Sequence, residues 1–177
     1  MPTLKNKAVS QMVRAALMVS DLDRSREFYT NVLGLTEVYT EGSATGGNMH
    51  VLTGMPDTVT TRVCILKVPD APAYGMVGLF EVKNPAPPPL QRAGGGSNIG
   101  ELCMVFYCED LDAVARMTTD RGLSIVAGPV QLRVRGNVKQ REMTIRGHDG
   151  EKINLIEWNI ANANAGDRPE KWPGVPE

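Results

Sequence analysis

Val19-Ser20-Asp21-Leu22-Asp23 and Cys108-Glu109-Asp110-Leu111-Asp112 are two versions of one motif, with Asp21 and Asp110 lying 89 positions apart in a chain of 177. Each copy follows an apolar run of strand length, Met12 to Val19 and Leu102 to Cys108. Each also opens a helical pattern. In the first copy Leu22, Ser25, Tyr29, Val32 and Leu33 share one face, Asp21 or Ser20 is placed to cap the N-terminus, and Gly34 ends the helix. In the second copy Leu111, Val114, Ala115 and Thr118 repeat that face and Gly122 ends it. Candidate strands follow at Leu35 to Thr40, Thr61 to Val68 and Met76 to Val82, then at Ser124 to Ala127, Glu142 to Arg146 and Lys152 to Trp158. His148-Asp149-Gly150 supplies the turn before the last of them. Each half therefore reads strand, helix, three strands, an α+β pattern built by duplication.

The boundaries follow from the repeat. Residues 1–10 form an N-terminal tail, 11–83 the first module, 84–99 a linker, 100–158 the second module and 159–177 a C-terminal arm with Trp172 as its one large anchor. The linker carries Pro85, Pro87, Pro88 and Pro89 and then Gly94-Gly95-Gly96, stiff first and loose afterwards.

Composition excludes several function classes. Nineteen Lys and Arg against twenty Asp and Glu give a formal net charge of −1, which provides no electrostatic footprint for nucleic acid or an anionic membrane. The basic stretch Arg133, Arg135, Lys139 and Arg141 around Gly136-Asn137 reads as a solvated hairpin. No apolar run approaches the ~20 residues of a spanning helix, and the first residues lack the pattern of a secretory signal. Cys64, Cys103 and Cys108 are an odd, sparse set without C-x-x-C spacing, which argues against a disulfide framework and a structural zinc cluster and for a reducing, cytoplasmic setting. Nine methionines against three phenylalanines suit an adaptable pocket wall.

The duplicated unit, with Val19-Ser20-Asp21-Leu22-Asp23-Arg24-Ser25 leading to Phe28-Tyr29 and Leu33-Gly34-Leu35, resembles the vicinal oxygen chelate superfamily of glyoxalases, bleomycin-resistance proteins and extradiol dioxygenases. Asp149-Gly150-Glu151-Lys152-Ile153-Asn154-Leu155-Ile156-Glu157 is similar to that family's hairpin and closing strand. The resemblance implies two β-α-β-β-β modules forming a cupped half-barrel, with helices outside and the site within, and a homodimer. Strand alternation then turns Ala15, Leu17 and Val19 to the helix and Arg14, Ala16 and Met18 to the cup.

Metal-dependent members place histidines and glutamates on the first and last strands of each module. The matching positions here are Arg14, Glu81, Cys103 and Asn154, while Glu157 faces away from Asn154. Arg cannot ligate a cation and repels one. Asn and Cys with a single carboxylate are poorly matched donors. No metal and no cofactor is therefore expected. Arg14 and Glu81 become candidates to bind an oxyanion and to serve as general base, or else a charge pair that holds the cup together. His50 is a further acid-base candidate. Met18, Cys103, Val105, Tyr107, Asn154 and Ile156 are candidate pocket walls and ligand contacts, and Cys103 is read either as an apolar wall or as a thiol needing an activating partner. The expected function is a metal-independent isomerase or lyase acting on a small oxygenated metabolite, aromatic or keto-acid in type. The alternatives are a non-catalytic binding or resistance protein, and a metal-dependent dioxygenase or lyase with rearranged ligands such as His50 and Glu81.

Overall fold

The computed structural model describes residues 9–92, 96–134 and 138–157, with the side chains of 133–140 excepted. The first eight residues, Gly94-Gly95, Arg135 with Gly136-Asn137, the side chains of Arg133 and Lys139, and the arm 159–177 with Trp172 lie outside the described residues. The chain divides into two compact units, Met1–Pro87 and Pro88–Glu177. Among the described residues no helix is long and apolar enough to cross a membrane.

The first unit runs β1 (Arg14–Val19), α1 (Leu22–Asn31), β2 (Glu37–Ser43), α2 (Met49–Thr53), β3 (Thr60–Lys67) and β4 (Met76–Lys83), with sheet order β1-β4-β3-β2. The second runs β5 (Cys103–Cys108), α3 (Leu111–Asp120), β6 (Ile125–Val134), β7 (Val138–Arg146) and β8 (Lys152–Glu157), with order β5-β8-β7-β6. In both, the first strand pairs parallel with the last and the other pairings are antiparallel. Each unit is thus a βαβββ module. The short α2, an insertion between β2 and β3, has no counterpart in the second.

Local chemistry explains the helices. Asp21 and Asp110, both extended, accept from the amides of Arg24 (3.0 Å) and Ala113 (2.8 Å), so each caps its helix three residues on. Leu22, Ser25, Phe28 and Tyr29 are the buried face of α1, with Phe28 and Tyr29 edge to face at 5.1 Å, and Leu111, Val114 and Thr118 are that of α3. Gly34 and Gly122 follow the helices with φ of +74° and +66°, the left-handed conformation that favours glycine. Strand β1 alternates as the sequence predicts, with Ala15 and Val19 buried and Leu17 half-buried toward the helix, against exposed Arg14, Ala16 and Met18.

A second polar device anchors each helix. Glu81, 4% exposed, accepts from the Leu22 amide (3.3 Å) and receives Arg62 (3.4 Å) and Lys83 (3.1 Å), while Arg62 also grips Asp23 at 3.0 Å. In the second module Glu157 accepts from the Leu111 amide (3.2 Å) and from Arg141 (3.0 Å), and Arg141 grips Asp112 at 3.0 Å. Strand carboxylate, strand arginine and helix aspartate thus recur in both modules. Each satisfies an orphan helix N–H and places negative charge at the positive end of the helix.

Two sequence expectations change. Strand β6 continues past Ala127 through Gly128-Pro129, because the bulges that shift its register lie at this point and β6 is an edge strand, where a missing amide is tolerated. The C-terminal part of the stretch expected to be a loose linker is pinned to the second module. Glu101, its side chain 5% exposed, receives Arg146 at 2.5 Å, Lys152 at 3.2 Å and Arg92 at 3.4 Å. Lys152 also donates to the Ser97 hydroxyl (2.6 Å) and Arg146 to the Gly96 carbonyl (2.8 Å). The Arg146 hydrogen bond is the leading cause holding the Glu101 carboxyl far below its ordinary value of 4.5.

Replacing Glu81 by Ala strands the Leu22 amide, while Arg62 keeps Asp23, and is expected to cost about 1–2 kcal/mol of stability in urea unfolding, as loss of the acceptor of a buried donor does. Glu81→Gln, which keeps an acceptor for Leu22, is expected to cost less. The Glu101 carboxyl has its folded pKa depressed below the unfolded value, so its contribution is complete above that value and is lost as pH falls below about 4.5. Thermal melts from pH 6 down to about pH 3 are expected to show a shallower acid loss for Glu101→Gln than for the parent.

Candidate functional site

The face of each sheet turned away from its helix carries the candidate residues. In the first module Arg14, Ala16 and Met18 pair with Met76, Gly78 and Phe80. A Cβ on Gly78 would lie 3.0 Å from the Phe80 ring and 3.4 Å from the Arg14 side chain. Glycine there lets both side chains cross the strand closely. Among the described residues Arg14 makes no ion pair or side-chain hydrogen bond, and it is exposed.

Glu81 is not beside Arg14 on this face. Parallel pairing sets it next to Val19, and antiparallel pairing sets it next to Arg62, both on the helix side. Its carboxylate is occupied by Leu22, Arg62 and Lys83. The expected meeting of Arg14 with Glu81 is therefore corrected. Comparing the two pairing ladders shows why: Ala16 pairs with Gly78 as Val105 pairs with Asn154, and Val19 pairs with Glu81 as Cys108 pairs with Glu157. The counterpart of Asn154 is Gly78, and the counterpart of Glu81 is Glu157. Gly78-Leu79-Phe80-Glu81 set over Asn154-Leu155-Ile156-Glu157 already contains this alignment.

His50 lies elsewhere. It is half-buried on α2, with Nδ1 3.2 Å from the Gly47 carbonyl, and lines a cavity of about 200 Å³ with Ala44, Gly46, Gly47, Asp57 and Thr61 among its walls. The rows of the sheet set that cavity apart from Arg14, since Thr61 pairs with Val82 whereas Arg14 pairs with Met76.

In the second module Cys103, Val105 and Tyr107 pair with Lys152, Asn154 and Ile156 on the open face. Val105 is 57% and Tyr107 37% exposed, and Met18 in the first module is 44% exposed, so each is accessible as an apolar wall. The Asn154 amide donates to the Thr144 hydroxyl (3.3 Å) and the Met143 carbonyl (3.4 Å). Lys152, absent from the sequence candidates, reaches Glu101 instead of open solvent. His148, in the turn before β8, is half-buried. Burial raises the Cys103 and Cys64 thiols, and it pushes Cys108 up to about 12 with help from the Glu157 and Asp110 charges. All three remain protonated thiols near neutrality, without the activation a nucleophile needs.

The donor set decides the metal question. With the register corrected, the positions matched to the family's ligands are Arg14, Gly78, Cys103 and Asn154, that is, a fixed cation, no side chain, a protonated thiol and a neutral amide. Among the described residues no three His, Cys, Asp or Glu side chains gather as a metal site requires. These residues do not fit the divalent cation that the sequence resemblance implies.

Comparison with known proteins follows the same lines. A glyoxalase family protein from Bacillus cereus is 24% identical with a TM-score of 0.72, over 87% of this chain and 97% of that one. Glyoxalase I of Leishmania major, described as trypanothione-dependent, is 18% identical with a TM-score of 0.55, over 84% and 87%. An antibiotic-binding protein from Streptomyces is 18% identical with a TM-score of 0.53, over 85% and 98%. At these identities the likeness establishes the fold. Comparison with curated proteins yields no match. The model of the Glyoxalase/Bleomycin resistance protein/Dioxygenase superfamily matches residues 11–155. With that match over most of its length and the duplicated βαβββ fold behind it, the chain belongs to this superfamily.

Proposed function

We propose that the protein binds a small, mostly apolar molecule bearing an oxyanion, with Arg14 as its charge partner, and releases it unaltered. The observation that carries this reading is the placement of Glu81. The carboxylate expected to act as base is committed to the helix face, while the guanidinium expected to pair with it has no partner among the described residues. A lone guanidinium binds and orients an anion, but it has no proton to exchange near neutral pH. Proton-transfer chemistry needs a base within about 3 Å of the proton it takes, and Glu81 sits on the wrong side of the sheet for that. Met18, on the same face of β1 as Arg14 and exposed, supplies apolar surface suited to such a ligand. The Streptomyces protein shows that this fold is compatible with binding an antibiotic.

Titration with benzoate as a first probe tests the reading. Arg14→Ala is expected to weaken binding about tenfold or more, the value of one charge-assisted hydrogen bond, with the melting temperature unchanged because Arg14 is exposed. Mass spectrometry after prolonged incubation is expected to recover benzoate intact, as well as any ligand carried through purification. Equal affinity in Arg14→Ala, or steady conversion of a carried ligand, overturns the proposal.

A further inference from the structure

We propose that the cavity beneath α2 is a second ligand site, and that it takes a compact ammonium group. Its walls are Ala44, Gly46, Gly47, Met49, His50, Asp57, Val59 and Thr61, all in the first module, and it holds about 200 Å³. At roughly 30 Å³ per water, that is room for a molecule rather than a single solvent. It lies at the far end of the sheet from Arg14. Thr61 stands in the row of Val82 and Arg14 in the row of Met76, six residues along β4, about 20 Å at strand rise.

Three polar groups characterise the cavity, and all can accept. Thr61 is 2% exposed, its amide donates to Thr45 and its carbonyl accepts from Ala44, yet its hydroxyl has no hydrogen-bond partner among the described residues. A hydroxyl on the wall of a cavity without a protein partner finds one in whatever fills that cavity. The His50 Nδ1 is directed to the Gly47 carbonyl at 3.2 Å. That bond selects the tautomer with hydrogen on Nδ1 and leaves Nε2 as an acceptor. Asp57 is exposed and, among the described residues, contributes the only charge in the wall and forms no ion pair. No lysine or arginine lines the space, so an anion finds nothing to offset its desolvation. A small ammonium brings up to three donors to these acceptors and a positive charge to Asp57. Its short carbon chain would lie against Ala44, Met49 and Val59.

The probe is ethylammonium chloride, with ethanol and sodium acetate as comparison arms, titrated at constant ionic strength and followed by backbone amide NMR shifts. Saturable shifts at Gly46, Gly47 and Thr61 are expected with ethylammonium alone. Asp57→Asn, at an exposed position that does not threaten folding, is expected to weaken binding at least tenfold, and Thr61→Val about threefold. Arg14→Ala is expected to leave this binding unchanged, which separates the proposal from the fate of the oxyanion site. Absence of saturable shifts, equal shifts with ethanol or acetate, or full affinity in Asp57→Asn overturns it.

Discussion

Each module depends on a carboxylate of its last strand being held at the first turn of its helix. Glu81 and Glu157 take the amides of Leu22 and Leu111, and Arg62 and Arg141 tie those carboxylates to Asp23 and Asp112. A helix begins with four amides lacking internal partners. The N-cap aspartate satisfies one of them and the strand glutamate another. The arrangement closes only if the last strand lies between the first and third, because the glutamate must stand beside the residue that leads into the helix and beside the arginine. Strand order, pairing register and helix position are thereby set together. A one-residue slip of β4 would turn Glu81 to the open face and leave Arg62 and Asp23 without it.

That constraint decides what the open faces can hold. With Glu81 and Glu157 committed to the helices, the open-face positions matched to the family's ligands are Arg14, Gly78, Cys103 and Asn154. The anion binding proposed for Arg14 and the misfit to a divalent cation rest on the same placement. A guanidinium occupies a place where a ligand would have to be neutral or negative, and the matching position on the last strand is Gly78, with no donor atom.

Much of the fold was legible in the sequence because its signals are local. The repeated Asp-Leu-Asp, the helix faces behind it, Gly34 and Gly122 and the Asp149-Gly150 turn each act within a few residues. The candidate site was less legible because its key question, which face a side chain takes, turns on register to a single residue. Matching Glu81 with Asn154 from their neighbouring motifs sets the copies three positions out of step, an odd shift that reverses the face. Matching Gly78-Leu79-Phe80-Glu81 with Asn154-Leu155-Ile156-Glu157 keeps the step and places both glutamates on the helix side. The Glu101 cluster was hidden for another reason. Its partner Arg146 lies 45 positions away, and nothing local to a proline- and glycine-rich stretch signals a buried ion pair. The five residues of α2 are too few to show a helical period.

The two copies divide their likeness by face. On the helix side the equivalent pairs are Ala15 and Met104, Leu17 and Phe106, Val77 and Ile153, Leu79 and Leu155, Arg62 and Arg141, and Glu81 and Glu157. Apolar stands for apolar and the charged pairs are identical, as one packing problem solved twice requires. On the open side the pairs are Arg14 and Cys103, Ala16 and Val105, Met18 and Tyr107, Met76 and Lys152, Gly78 and Asn154, and Phe80 and Ile156. Charge, polarity and size all change there. Packing against a helix does not require those changes, so the open faces are where the two halves are free to take different parts. The first supplies an unpaired cation over a glycine, and the second a buried ion cluster beside exposed Val105 and Tyr107.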